Sequence, residues 1–257
     1  MSRETLPAGN SPRTRFAVLD GMRGVAAVFI ILDHLTDVMK PPLFPGRYLA
    51  VDLFFLLSGF VIAHSYGDRL RADMSVRDFM LQRLVRLYPL YMLGLILGLI
   101  AILPTIRVAG LNTWINLIID AAAGALFIPS PSEFSIAGGA VSRLNGPSWS
   151  LFYELIANVL FALTIPYLSS RRLGVIIAGG AIAMAVAVIY TNTLDLGWSL
   201  TKPHVLGGLG RVTFCFFGGV AIYQIWQTGR FASLRPPGWL VFIALAIALA
   251  LPGDGSW

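Results

Sequence analysis

The chain has 257 residues, of which 56% are hydrophobic and only 12% charged, and its formal net charge is +6. A soluble domain carries roughly 25% charged residues, so a water-covered globule is excluded, and the mean hydropathy of +0.75 makes lipid the main solvent. The apolar runs approach the length of about 20 residues that crosses a bilayer as a helix. They lack the alternation that barrel strands show over about ten residues. The expected fold is all-α, a polytopic bundle of about seven or eight transmembrane helices.

In chain order, residues 1–15 are polar and rich in Pro and Ser, and read as a flexible cytoplasmic tail. No cleavable signal peptide is expected, and the transmembrane domain covers 16–257. The first span runs from about Phe16 to Met39, with Asp20 placed to cap its start. Pro41 to Gly46 is a breaker-rich loop. The second span is about Tyr48 to Tyr66, followed by an arginine-dense loop that holds Arg69, Arg71, Arg77, Arg83 and Arg86. The third span is about Leu87 to Leu103. Leu111 to Ile128 is apolar but carries Asp120 near its centre, and reads as spanning, interfacial or re-entrant. After a loop rich in Pro, Ser and Gly come spans at about Ser148–Leu168, Leu173–Tyr190 and Leu206–Trp226, and a last apolar run from Trp239. There is no internal repeat and no second soluble domain.

Basic residues favour the cytoplasm, which places the N-terminus and the Arg69–Arg86 stretch inside. Arg171 and Arg172 agree only if Leu111–Ile128 does not cross fully. The positive charge therefore reads as topology signal and contact with anionic membrane lipids, not nucleic-acid binding. The single cysteine, Cys215, excludes an internal disulfide and a cysteine-rich metal site, and is expected to pack. His64 and His204 have no ligand spacing to His34, so no metal is expected.

Several polar residues on apolar runs are candidates for chemistry. Arg23 and His34 are eleven residues apart, close to three helical turns, so they share one face about 16 Å apart along the axis. They read either as an interfacial snorkel and a helix end, or as two groups facing a cavity. Asp52 opens the apolar stretch Val51–Phe60, in which Ser58 and Gly59 are small packing residues. Arg83 and Arg86 are either topology anchors or a fork for phosphate or carboxylate. In Ser148-Trp149-Ser150-Leu151-Phe152-Tyr153-Glu154 a carboxylate falls inside an apolar helix, with Ser150 one turn before it. Such a Glu needs an arginine partner or a neutral state; Arg211 is one candidate partner, in a structural pair or a functional one.

Four stretches together resemble the acyltransferase-3 family of bacterial membrane acyltransferases. They are Leu19-Asp20-Gly21-Met22-Arg23 up to His34, Asp52 to Phe60, Arg83-Leu84-Val85-Arg86-Leu87-Tyr88-Pro89, and Ser148 to Glu154. A fifth, weaker likeness is Arg211 to Gly218. The resemblance implies about ten spans of about 20 residues each, so the chain is expected to stop within or after its eighth. It further implies an acyl-coenzyme A donor, acetyl-CoA in the usual member, and a hydroxyl of a cell-envelope or exported polysaccharide as acceptor. The roles implied are His34 and Glu154 as catalytic groups and Arg23, Arg83 and Arg86 as the donor site. Asp52, Ser148, Trp149, Ser150 and Arg211 would support them. The rival readings are a transporter, which the absence of inverted repeats disfavours, a lipid- or glycan-binding membrane protein, and an inactive truncated member of the family.

Overall fold

The structure, a computed structural model, describes residues 17–36, 46, 48–106, 110–129, 144–230 and 237–250. All regular elements among them are helical, because only a helix satisfies its own backbone in hydrocarbon without closing a barrel. Eight α-helices follow in order: α1 (Ala17–Thr36), α2 (Leu49–Ala72), α3 (Val76–Ile106), α4 (Leu111–Ala125), α5 (Trp149–Thr164), α6 (Ser170–Thr191), α7 (Lys202–Gln227) and α8 (Gly238–Ala250). Five, α2, α3, α5, α6 and α7, are long and apolar enough to cross a membrane. The tail 1–15 and the chain beyond Ala250 lie outside the described residues.

One expectation needs correction. Arg69 to Arg86 is not a loop. Arg69 and Arg71 sit in the last turn of α2, and α3 begins at Val76, well before Leu87. The sequence Ser75-Val76-Arg77-Asp78 makes a reciprocal cap: Ser75 Oγ accepts from the Asp78 backbone N–H at 3.0 Å and donates to the Asp78 carboxylate at 2.7 Å. One orphan backbone donor of the helix start, the Asp78 N–H, is met this way. The arginines of Arg83-Leu84-Val85-Arg86 therefore lie two to three turns inside α3. Helix α4 is 15 residues long, about 22 Å, short of the hydrocarbon core of about 30 Å. The end of α5 accordingly returns to the level of the end of α2, where Leu70, Ile165 and Leu173 share one buried cluster.

Helix α7 is the spine. It packs on α6 along one side and α2 along the other, and α5 closes over α2 and α7. The core between α2, α5 and α7 is aromatic, with Phe55, Tyr153, Phe161, Phe216 and Phe217 almost fully buried. Cys215 is buried there as a packing residue. Apolar solvent gives no drive for helices to associate in lipid, so close backbone approach through small residues must supply it. Gly59 of α2 lies against the Phe216 carbonyl of α7, and Gly219 of α7 against the Leu56 carbonyl of α2. A Cβ at either glycine would overlap that backbone. Smaller clusters join α1 to α2 and α8 (Ala26, Phe29, Ala50) and α3 to α4 (Leu95, Leu117).

Gly218 and Gly219 provide a matched test, because nothing lies within 4 Å of a Cβ placed at Gly218. Gly218→Ala should leave thermal stability in detergent unchanged or raised by up to about 1 kcal/mol, the helix-propensity gain. Gly219→Ala should lower it by about 1–3 kcal/mol, the usual cost of overpacking. A fluorescence-detected melting curve on each purified variant measures both.

Candidate active site

The sequence-predicted residues separate into two polar layers carried by α2. Asp52 and Ser58 are six residues apart, about 9 Å along the axis and turned by about a third of a circle. One therefore faces α7 and the other α5 and α3.

The first layer centres on Arg211, which is fully buried. Its Nε donates to Asp52 Oδ1 at 2.9 Å and its Nη2 to Asp52 Oδ2 at 3.1 Å. Nη1 donates to the Leu196 carbonyl at 2.7 Å and Nη2 also to the Tyr48 carbonyl at 2.9 Å. Asp195 approaches Nη1 at 3.7 Å. The guanidinium lies 5.9 Å from the centre of the Tyr48 ring and 5.7 Å from that of Trp149. One planar fork thus ties the start of α2 to α7 and to the segment between α6 and α7, as only arginine geometry allows. That segment can lie against Trp149 because Gly197, at φ +109°, has no side chain to collide with the indole.

The candidate Glu154–Arg211 pair does not form. Arg211 is satisfied by Asp52, and Glu154 belongs to the second layer. There Glu154 Oε1 accepts from Arg83 Nη2 at 2.8 Å and from Ser58 Oγ at 2.7 Å. Helices α5, α3 and α2 meet at that one carboxylate oxygen. Ser58, expected only to pack, is a polar ligand of Glu154. Arg83 and Arg86 do not act alike: Arg83 is 5% exposed and committed to Glu154, while Arg86 is exposed and borders a cavity. Arg23, half-buried on α1, pairs with Asp20 at 3.9 Å and interacts electrostatically with Arg86, Glu154 and Arg83.

The cavity has a volume of about 480 Å³ and is bounded by α1, α2, α3 and α5. Glu154, Arg86, Ser148 and Ser150 are at its border, with Ile30 of α1 opposite. Ser148 Oγ donates to the Asn145 carbonyl at 2.6 Å, so Ser148 braces the turn into α5 and does not cap the helix. Ser150 Oγ donates more weakly, at 3.4 Å, to the Pro147 carbonyl. Asn145 reaches α3 by donating to the Tyr91 carbonyl at 3.4 Å, and Gly98 admits the Leu144 carbonyl against α3. Helix α1 carries both Arg23 and His34 as expected, and His34 lies one turn beyond Ile30. The His34 side chain is outside the described residues. Among the described residues no group of three or more His, Cys, Asp or Glu could hold a metal ion.

Four of the motif stretches thus contribute residues to the wall of one cavity. The sequence profile of the acyltransferase-3 family, described as an acyltransferase domain, matches residues 16–257. The chain belongs to this family. It is an integral membrane acyltransferase with an all-α fold. Among similar proteins, Protein 2 in the picA locus of Rhizobium radiobacter is 39% identical over 189 residues, 69% of this chain and 96% of that protein. Acyltransferase MdmB of Streptomyces mycarofaciens is 29% identical over 210 residues, 79% of this chain. YrhL of Bacillus subtilis, named as a candidate peptidoglycan O-acetyltransferase, is 25% identical over 233 residues, 85% of this chain. The matched regions span 46% of MdmB and 34% of YrhL. No solved structure matches the chain.

In this acyltransferase the first layer bears the structural load. Arg211→Lys keeps the charge but cannot reproduce four oxygen contacts in one plane. It should lower the detergent melting temperature clearly, with a cost of about 3–5 kcal/mol if the Asp52 carboxylate is left unpaired. Lys202→Arg, at the exposed start of α7, should leave it within about 0.5 kcal/mol.

Proposed function

We propose that the protein transfers an acyl group, acetyl being the simplest case, from an acyl-coenzyme A donor to a hydroxyl of a cell-envelope or exported polysaccharide. The observation that carries this reading is a carboxylate, Glu154, held by Arg83 and Ser58 at the border of a cavity that Arg86 also lines, in a chain of the acyltransferase-3 family. A relative named for peptidoglycan O-acetylation supports a glycan as the acceptor class.

The residues divide the work by their surroundings. Arg86, exposed at the cavity, and Arg23, beside it on α1, hold the donor's phosphates, to which guanidinium forks are suited. Arg83 is occupied by Glu154 and acts by fixing that carboxylate on the cavity wall. Glu154 in turn orients the polar groups of the bound substrates. His34, on the Arg23 face of α1 and further along it, is the general base. It takes the acceptor's hydroxyl proton as the oxygen attacks the thioester carbonyl. The C–S bond breaks, the electron pair goes to sulfur, and the thiolate takes a proton as it leaves, so that an ester and a free thiol result. Donor phosphates at the Arg23 end and an acceptor at the His34 end enter the site from opposite sides.

The orientation that suits a cytoplasmic donor puts the N-terminus and the turn between α2 and α3 in the cytoplasm, in the inner membrane of a bacterial cell, as the arginine distribution favours. An impermeant thiol reagent applied to whole cells should fail to label Ser75→Cys and should label it after permeabilisation. Labelling of intact cells would reverse the assignment.

Membranes containing the chain should transfer radiolabelled acetyl from acetyl-CoA to envelope glycan. His34→Gln keeps polarity but cannot act as a base near neutral pH, and should lower the rate by on the order of 10²-fold or more at normal abundance. Arg86→Lys should raise KM for the donor with a smaller effect on kcat, since it removes a fork from phosphate and leaves the reacting atoms in place. Parental rates in His34→Gln would remove the histidine from the chemistry.

A further inference from the structure

The cavity beside Glu154 is much larger than an acetyl group. Its volume of about 480 Å³ falls in the range of about 300–1,000 Å³ found for small-molecule sites. An acetyl group takes on the order of two water volumes, about 60 Å³. The polar groups at the cavity are also mostly engaged: Ser148, Ser150 and Asn145 donate to backbone carbonyls, and Glu154 is held by Arg83 and Ser58. A sugar filling this space would bury most of its hydroxyls against leucine, beyond the reach of Arg86 and Glu154, at a cost for each. A hydrocarbon chain would not.

The wall formed by α3 points to the same occupant. Leu90, Leu93 and Leu97 line the cavity and are also 76%, 52% and 57% exposed. Spaced three and four residues apart, they form one stripe on the helix. Among the described residues nothing covers this stripe, and on a membrane-crossing helix such a face is open to lipid tails. The cavity is therefore open sideways to the bilayer along this stripe, with the Arg86 guanidinium and the Glu154 carboxylate at its polar end.

We propose that this cavity takes the acyl chain of the donor, that chains longer than acetyl lie along the Leu90–Leu93–Leu97 opening towards the bilayer, and that this stripe sets the chain-length preference. The inference rests on the acyl-CoA reading above and adds the substrate class within it. The reaction is unchanged: the acceptor oxygen forms the new ester bond, the C–S bond breaks, the acceptor's proton goes to the base, and the sulfur leaves as a thiol. Only the group on the carbonyl carbon is longer. A side opening matters because an acyl chain in a closed pocket has a length limit, whereas one that can extend into lipid does not.

The test compares acetyl-CoA, butyryl-CoA and octanoyl-CoA as donors to the full chain in lipid nanodiscs. Each methylene moved out of water strengthens binding by up to about fourfold, so KM for octanoyl-CoA should be at least about tenfold below that for acetyl-CoA. Leu93→Trp places a bulky ring across the opening. It should bring the two KM values to within about threefold of each other by raising the one for octanoyl-CoA. Leu90→Trp, one turn earlier on the same lipid-facing stripe, should do the same and guards against a folding defect in either variant. A chain that transfers acetyl but rejects octanoyl, or that shows equal KM values for both, would overturn the proposal. So would tryptophan variants whose KM ratio matches the parent. Absence of transfer from every donor would overturn the acyltransferase reading along with it, an outcome distinct from acetyl transfer without chain preference.

Discussion

A carboxylate inside an apolar helix must be paired, because lipid offers it nothing. Glu154 meets that condition through Arg83 at 2.8 Å and Ser58 at 2.7 Å, and much of the site follows from it. Arg83 sits in the third turn of α3, so α3 must approach α5 at that level. Ser58 is on α2, so α2 must approach as well. Three helices with little apolar reason to associate are held at one oxygen atom. The cavity lies in the space they leave, bordered by Arg86 one turn further along α3. Leaving either charge alone in such a setting typically costs about 3–5 kcal/mol, comparable to the free energy that keeps a domain folded.

The Asp52–Arg211 layer works differently. It borders the α2–α7 seam, where Gly59 and Gly219 bring the backbones into contact, and it fixes the ends of several elements at once through the carbonyls of Tyr48 and Leu196. Trp149 links the layers. Its ring packs on Arg211, and its own helix carries Glu154 one and a half turns later. Strain introduced at Arg211 would therefore be felt at the turn into α5, where Ser148 and Asn145 hold the cavity border.

Much of this was legible in the sequence. Hydropathy alone gave the helices, because an uninterrupted apolar run has few alternatives in lipid. Of the residues singled out in the motif stretches, Arg86, Ser148, Ser150 and Glu154 border the cavity, whereas Asp52 belongs to the Arg211 layer. Which charge pairs with which was not legible, because pairing depends on how far each helix is rotated and displaced. Two carboxylates and several arginines allow many combinations, and Arg211 was the wrong partner for Glu154. Ser58 looked like a small packing residue because a serine beside a glycine in an apolar run carries no sign of its partner. The start of α3 was misplaced because hydropathy falls at Arg77 and Arg83, although the helix continues. The Ser75–Asp78 cap was the available signal, and it outweighs the polarity of the following turn.

The central claim is that Glu154 and Arg83 act as one unit. A double-mutant cycle of Glu154→Gln, Arg83→Met and the pair together, read as folded yield and as acetyl transfer in membranes, measures it directly. Each single variant leaves an uncompensated buried group and should lose both. The double variant should recover folded yield well above the worse single, with a coupling energy of about 1–3 kcal/mol, and should remain impaired in transfer. Additive losses in folded yield, with the double variant no better than the product of the singles, would contradict the account.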